Sequence, residues 1–146
     1  MESVKEIVTI KQIVSEREVA YGGRIDSTEK AANMARAQIG DESREIVLLA
    51  VLNAANEINA IHRAFSGGNT MSLLFPREIF QAAILNNGVR IILFHNHPSG
   101  DVKPSNADLE MTVRLARAGD FMGIPLLDHI IVSETGWTSM KELGYF

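Results

Sequence analysis

The run Val89-Arg90-Ile91-Ile92-Leu93-Phe94-His95-Asn96-His97-Pro98-Ser99-Gly100-Asp101-Val102-Lys103-Pro104-Ser105-Asn106-Ala107-Asp108 carries an architectural signal and a chemical one. Residues 89–94 are apolar but for Arg90 and too short for a bounded helix, so they read as a buried strand. Pro98, Gly100 and Pro104 punctuate a loop over 95–104. Ser105 then opens a helix whose Leu109, Thr112, Val113, Leu115 and Ala116 line one side. Strand, loop and helix in this order make one unit of an α/β layer structure.

Working outward, Asp26-Ser27-Thr28-Glu29 is a capped helix start, and apolar spacing predicts a helix over 28–39 that stops at Gly40. Residues 45–52, apolar from Ile46 onward, predict a strand buried on both faces and central in a sheet. Turn residues 53–56 and a second strand over 57–65 complete a hairpin, ended by Ser66-Gly67-Gly68-Asn69. Pro76 suits the first turn of a helix carrying Ile79, Phe80, Ala83 and Ile84, with Asn86-Asn87-Gly88 ending it. Gly123 and Pro125 frame a last strand over 126–132. Residues 4–14 alternate loosely, as a strand or an arm along the body would. The organisation is therefore an N-terminal strand or arm over 1–18 and one domain over 19–146. Its architecture is an α/β sandwich with a mixed sheet and helices on both faces.

Of the 146 residues 46% are hydrophobic and 22% charged, enough to form a core without a disulfide or structural metal. Any metal would then serve chemistry. The absence of cysteine excludes a thiol nucleophile and every thiolate zinc site, so zinc would be held by histidine and carboxylate. A formal charge of −4 argues against direct nucleic-acid contact, although Arg36, Arg44, Arg63, Arg77 and Arg90 could still cluster. The acidic start Met1-Glu2-Ser3-Val4-Lys5-Glu6 is unlike a signal peptide, and no run approaches about twenty apolar residues, so the expectation is a cytoplasmic, membrane-free protein.

In extended backbone, His95 and His97 project to one side while Asn96 turns away. Two imidazoles can then reach one ion, and Asp108 in the next helix's first turn is placed to return as a third ligand, leaving a fourth position for water. Each part has a plain alternative: a His-x-His pair is often two hydrogen-bonding histidines, and Ser105-x-x-Asp108 is equally a capping box. The conjunction across a restrained loop favours the metal.

These residues, His95-x-His97-Pro98 and then Ser105-x-x-Asp108, resemble the JAMM (MPN+) zinc metalloprotease signature. The wider wording is similar to the bacterial RadC family in Phe75-Pro76-Arg77-Glu78-Ile79, His95-Asn96-His97-Pro98-Ser99-Gly100-Asp101, Pro104-Ser105-x-x-Asp108 and Leu127-Asp128-His129-Ile130-Ile131-Val132. The resemblance runs from about Val19 to the C-terminus. It implies a cytidine-deaminase-like α/β/α three-layer domain that holds Zn²⁺ through His95, His97 and Asp108. By position it makes Glu45 the general acid/base and Ser105 the oxyanion-stabilising hydroxyl. The reaction implied is zinc-assisted hydrolysis of a peptide or isopeptide bond in a protein or peptide substrate. The rival it leaves open is a DNA-repair-associated accessory protein without turnover. Against that rival, the expectation is that the helix-hairpin-helix region common in RadC relatives does not precede the helix at 28–39.

Other candidates carry simpler explanations. Glu78 suits a helix first turn, Glu57 and Asp101 read as solvated acids, and His62 as exposed. His129, inside an apolar strand, reads first as a satisfied core histidine and second as a group orienting a neighbour. An HNH-nuclease label fails because that family's residues are not contiguous. A zinc deaminase fails for want of cysteine.

Overall fold

Strand β1 (Glu45–Leu52) sends alternate side chains into two separate cores, and that alternation sets the layers. The structure, a computed structural model, describes residues 1–20, 22–67, 71 and 74–146, with the side chains of 66 and 67 left aside. The further elements are α1 (Thr28–Ile39), β2 (Ile58–Gly67), α2 (Pro76–Leu85), β3 (Arg90–Asn96), α3 (Asn106–Met122), β4 (Leu126–Val132) and β5 (Trp137–Ser139). The strands form one mixed sheet in the order β2-β1-β3-β4-β5, parallel only between β3 and β4. Leu48, Ala50, Ile92, Phe94 and Ile130 pack against α1, whereas Val47, Leu49, Ile91 and Leu93 pack against α2 and α3. The result is the three-layer α/β/α sandwich with a mixed sheet that the sequence predicts.

Local chemistry explains the boundaries. The Ser27 hydroxyl accepts the Lys30 amide at 3.1 Å and starts α1. Pro76 occupies the first turn of α2, where its missing N–H costs nothing. Gly123, at φ 72°, ends α3 in the left-handed conformation that glycine tolerates.

Several expectations need correction. β1 is interior, paired on both sides, but β3 is the middle strand. β3 runs to Asn96 rather than stopping at Phe94, because its ladder with β1 and β4 continues through the polar residues: Val47 pairs with His95 and Val132 with Asn96. The second hairpin strand covers Ile58–Gly67, and Gly68 and Asn69 lie outside the described residues. Ile84 is exposed. The inward stripe of α3 is Asp108, Met111, Thr112, Leu115 and Gly119, so Leu109, Val113 and Ala116 are only half-buried. Turning Asp108 inward sets that phase. β5 is three residues long, too short to show alternation in sequence. Residues 4–14 form no strand and are exposed; Gln12 exchanges two side-chain hydrogen bonds with Asn86, at 3.0 and 3.1 Å.

Gly119 lets α3 lie close to the chain entering β4. A Cβ there would stand 2.5 Å from the Ile124 carbonyl oxygen and 3.2 Å from the Leu126 nitrogen. Helix propensity alone would make Gly119→Ala stabilising by about 1 kcal/mol. The backbone contact reverses the sign, and we expect a net loss of roughly 1–2 kcal/mol, read as a lower urea midpoint with an unchanged slope.

Candidate metal centre

The C-terminal end of β3, the N-terminal end of β1 and the first turn of α3 meet at one place. β3 carries His95 on the face shared with Ile91 and Leu93, and Glu45 lies on the same face of β1, two residues before Val47, the partner of His95. His97 follows β3 directly, its amide donating to the Val132 carbonyl at 3.0 Å. A turn closes there, Gly100 donating to the His97 carbonyl at 3.0 Å with Gly100 at φ 87°.

Asp108 is the meeting point. Its Oδ1 lies 3.4 Å from His95 Nε2 and its Oδ2 3.2 Å from His97 Nε2. Ser105-x-x-Asp108 forms a capping box: the Ser105 amide donates to Asp108 Oδ2 at 2.8 Å and the Asp108 amide to Ser105 Oγ at 3.1 Å, while the same carboxylate faces both imidazoles. Asp108 and His95 are 2% and 1% exposed, so this is a buried carboxylate facing a buried imidazole. Glu45, His95 and His97 also bring one donor atom each within 4.8 Å of one another. A cavity of about 300 Å³ opens beside them, its wall including Glu45, Met71, His97, Ser105 and Asp108. Larger grooves lie beside residues 11–19 and between α2 and α3, but neither gathers two histidines and a carboxylate.

This donor set fits a zinc ion. Bonds of about 2.0–2.2 Å at tetrahedral angles place neighbouring ligand atoms about 3.3–3.5 Å apart. The two Nε2-to-carboxylate distances, 3.4 Å to Oδ1 and 3.2 Å to Oδ2, lie within or just below that spacing. His97 is also held in the right tautomer: Nδ1 lies 2.7 Å from the Asp101 carbonyl, which can only accept, so Nδ1 carries the proton and Nε2 faces the site. Asp101 therefore acts through its backbone. Its side chain is solvent-exposed and accepts the Lys103 amide at 3.0 Å, which shapes the loop.

Burial pushes His95 down to about 4, against the pull of Asp108. Burial likewise pushes His129 down to about 3. His97 is raised, chiefly by its hydrogen bond with Asp108. Burial would raise the Asp108 carboxyl, but His97, the charge of His95 and the Ser105 amide together hold it well below the usual carboxylate range.

Two residues matter more than the sequence indicates. Asn96 does turn away from His95, but into a fully buried role. Its Oδ1 accepts the Ile46 amide at 2.6 Å and its Nδ2 donates to the carbonyls of Arg44 (2.8 Å) and Glu42 (3.3 Å), pinning the backbone on both sides of Glu45. His129 is a satisfied core histidine and touches the site as well, with Nε2 3.2 Å from His95 Nδ1 and Nδ1 2.6 Å from Thr112 Oγ1. For His129 the available signal was a polar residue inside an apolar strand, and for Asn96 its place at the end of one. As expected, Glu78, Glu57 and His62 are exposed. The arginines are dispersed: Arg36 donates to the Ser133 and Glu134 carbonyls, Arg63 to Gln38, and Arg90 to Asn53 and Ala54.

Comparison with known families agrees with this geometry, since residues 25–145 match the model of the RadC-like JAB domain. The chain belongs to that family. Similar proteins include a UPF0758 protein of Chlorobaculum parvum, 43% identical over 82% of this chain and 54% of the relative. A UPF0758 protein of Caldanaerobacter subterraneus is 41% identical over 84% and 52%. Another, of Staphylococcus epidermidis, is 35% identical over 98% and 68%. The RadC-like JAB domain described here thus spans about half the length of the first two relatives. Among its described residues no helix is long and apolar enough to cross a membrane.

The pKa directions give a signed prediction for the metal-free RadC-like JAB domain. His95 and His129 are neutral in the fold down to about 4 and 3, whereas in the unfolded chain both take a proton near 6.5. Between those limits the unfolded state binds more protons, so stability falls as pH drops from about 6.5 toward 4, by up to ~2.7 kcal/mol per pH unit for two protons. His97, raised, is protonated in both states over most of that window and adds little slope. Asp108, lowered, matters only below its unfolded value near 3.8. Urea titrations in EDTA across this range measure the slope; a flat profile contradicts the assignment.

Proposed function

We propose that this domain is a zinc-dependent hydrolase of JAMM type that cleaves peptide or isopeptide bonds. The observation supporting this reading most directly is the convergence of His95 Nε2 and His97 Nε2 on the Asp108 carboxylate beside Glu45 and an open cavity. His95, His97 and Asp108 would hold the ion. When bound, zinc supplies a Lewis acid that polarises a carbonyl and makes water a competent nucleophile near neutral pH.

The remaining steps belong to the chain's own groups. Glu45, half-buried at the cavity wall, takes a proton from the attacking water and later delivers it to the departing amine. Asn96 fixes the backbone that carries it. Ser105 Oγ accepts the Asp108 amide, which leaves its own hydroxyl proton to donate toward the oxyanion of the tetrahedral intermediate. Cytoplasmic residence and a protein or peptide substrate belong to the same proposal.

Zinc content, zinc affinity and hydrolysis of a fluorogenic peptide mixture by wild type, Asp108→Asn and Glu45→Gln test it. Asn at 108 keeps an oxygen for the Ser105 amide, so the helix cap survives. We expect one zinc per wild-type chain and at least a ~100-fold loss of affinity in Asp108→Asn. Glu45→Gln should keep its zinc and lose on the order of 10²–10⁴ in turnover. The reverse pattern, zinc lost with Glu45→Gln and kept with Asp108→Asn, would make Glu45 the third ligand and overturn the assignment.

A further inference from the structure

We propose that His129 and Thr112 are positioning residues that fix the proton of His95 on Nδ1 and thereby present the bare Nε2 of His95 to the ion. The inference rests on the metal-centre reading above and extends it by two side chains into the core.

Hydrogen-bond polarity fixes the protons, beginning with Thr112 at the far end of the chain of contacts. Thr112 Oγ1 lies 2.6 Å from the backbone carbonyl of Asp108 and 2.6 Å from His129 Nδ1. The hydroxyl has one proton, and a carbonyl can only accept. Were that proton directed at His129, or at Met140 Sδ 3.4 Å away, two oxygens would face each other at 2.6 Å with nothing between them. The proton therefore goes to the Asp108 carbonyl, in the i−4 bond that helical threonines make. Thr112 Oγ1 then accepts from His129, so His129 Nδ1 carries hydrogen.

The remaining steps follow in order. A neutral imidazole has one N–H, so His129 Nε2 is an acceptor. It lies 3.2 Å from His95 Nδ1, which must donate to it. His95, neutral in turn, has its Nε2 lone pair toward Asp108 Oδ1 at 3.4 Å. A lone pair and a carboxylate oxygen repel at that separation unless a cation lies between them. A proton on His129 Nε2 aimed at His95 would instead leave His129 doubly protonated, with a full charge buried at 0% exposure.

Fold placement makes the wiring rigid. His129 lies on β4 next to β3, with Leu93 as its register partner, and Thr112 projects from the inward stripe of α3, one turn past Asp108. His129, Thr112 and Met140 are all fully buried. The helix that delivers the carboxylate ligand thus also sets the tautomer of the first histidine.

Side-chain nitrogen NMR of histidine-labelled, metal-free wild type reads the tautomer directly. We expect His95 Nδ1 in the protonated, pyrrole-type range and Nε2 in the pyridine-type range at neutral pH. Zinc affinity is measured in parallel by chelator competition for wild type, Thr112→Ser and Thr112→Val. Serine keeps the hydroxyl and should bind within about threefold of wild type. Valine preserves shape but removes the acceptor for His129 Nδ1, which frees His129 to donate from Nε2 and drives the His95 proton to its own Nε2. Its affinity should fall about 10- to 100-fold, with a matching pyrrole-type Nε2 signal from His95 in the metal-free variant. Wild-type His95 protonated on Nε2, or Thr112→Val binding zinc like wild type, overturns the inference. Wild type with the expected tautomer but no zinc uptake supports the wiring and overturns the metal-centre reading instead.

Discussion

The carboxylate of Asp108 answers to three nitrogen groups at once, and the rest of the site is arranged around that. Oδ2 receives the Ser105 amide at 2.8 Å and faces His97, while Oδ1 faces His95. A group this buried and this anionic is tolerated only because the first turn of α3, an amide hydrogen bond and two imidazoles compensate for its lost hydration. Local helix capping and long-range assembly of the site are thus one interaction seen from two directions. Moving the cap would move the carboxylate that both imidazoles face.

That coupling explains why the site was readable in the sequence. His95-x-His97, a punctuated loop and Ser105-x-x-Asp108 each have an ordinary explanation, and the capping box turns out to be real. It is also compatible with the chemistry, since the cap uses Oδ2 and leaves Oδ1 directed at His95. Elements with strong periodicity or clear end signals, such as α1 with Ser27 or α2 with Pro76, followed from local physics.

What escaped the sequence was decided by partners far along the chain. β3 gains two polar residues because β1 and β4 offer ladder positions to them. The α3 stripe follows the inward turn of Asp108 and the close approach at Gly119, neither of which is an apolar signal. Asn96 looked like the residue facing nowhere, yet it binds a segment about fifty positions earlier. His129 looked like core and is core, but its neighbours give it a direction that composition does not encode.

The two histidines are held very differently. His95 is clamped between strands with 1% of its side chain exposed, whereas His97 has 13% exposed and follows the strand on a loop, its ring held from behind by the Asp101 carbonyl. Traffic of an ion between bulk solvent and this pocket would therefore be one-sided. The inner wall is the enclosed side of the pocket, and the turn over residues 97–101 is the side nearer solvent. Were an ion held here, its path to solvent would run past the turn and not through the buried strand.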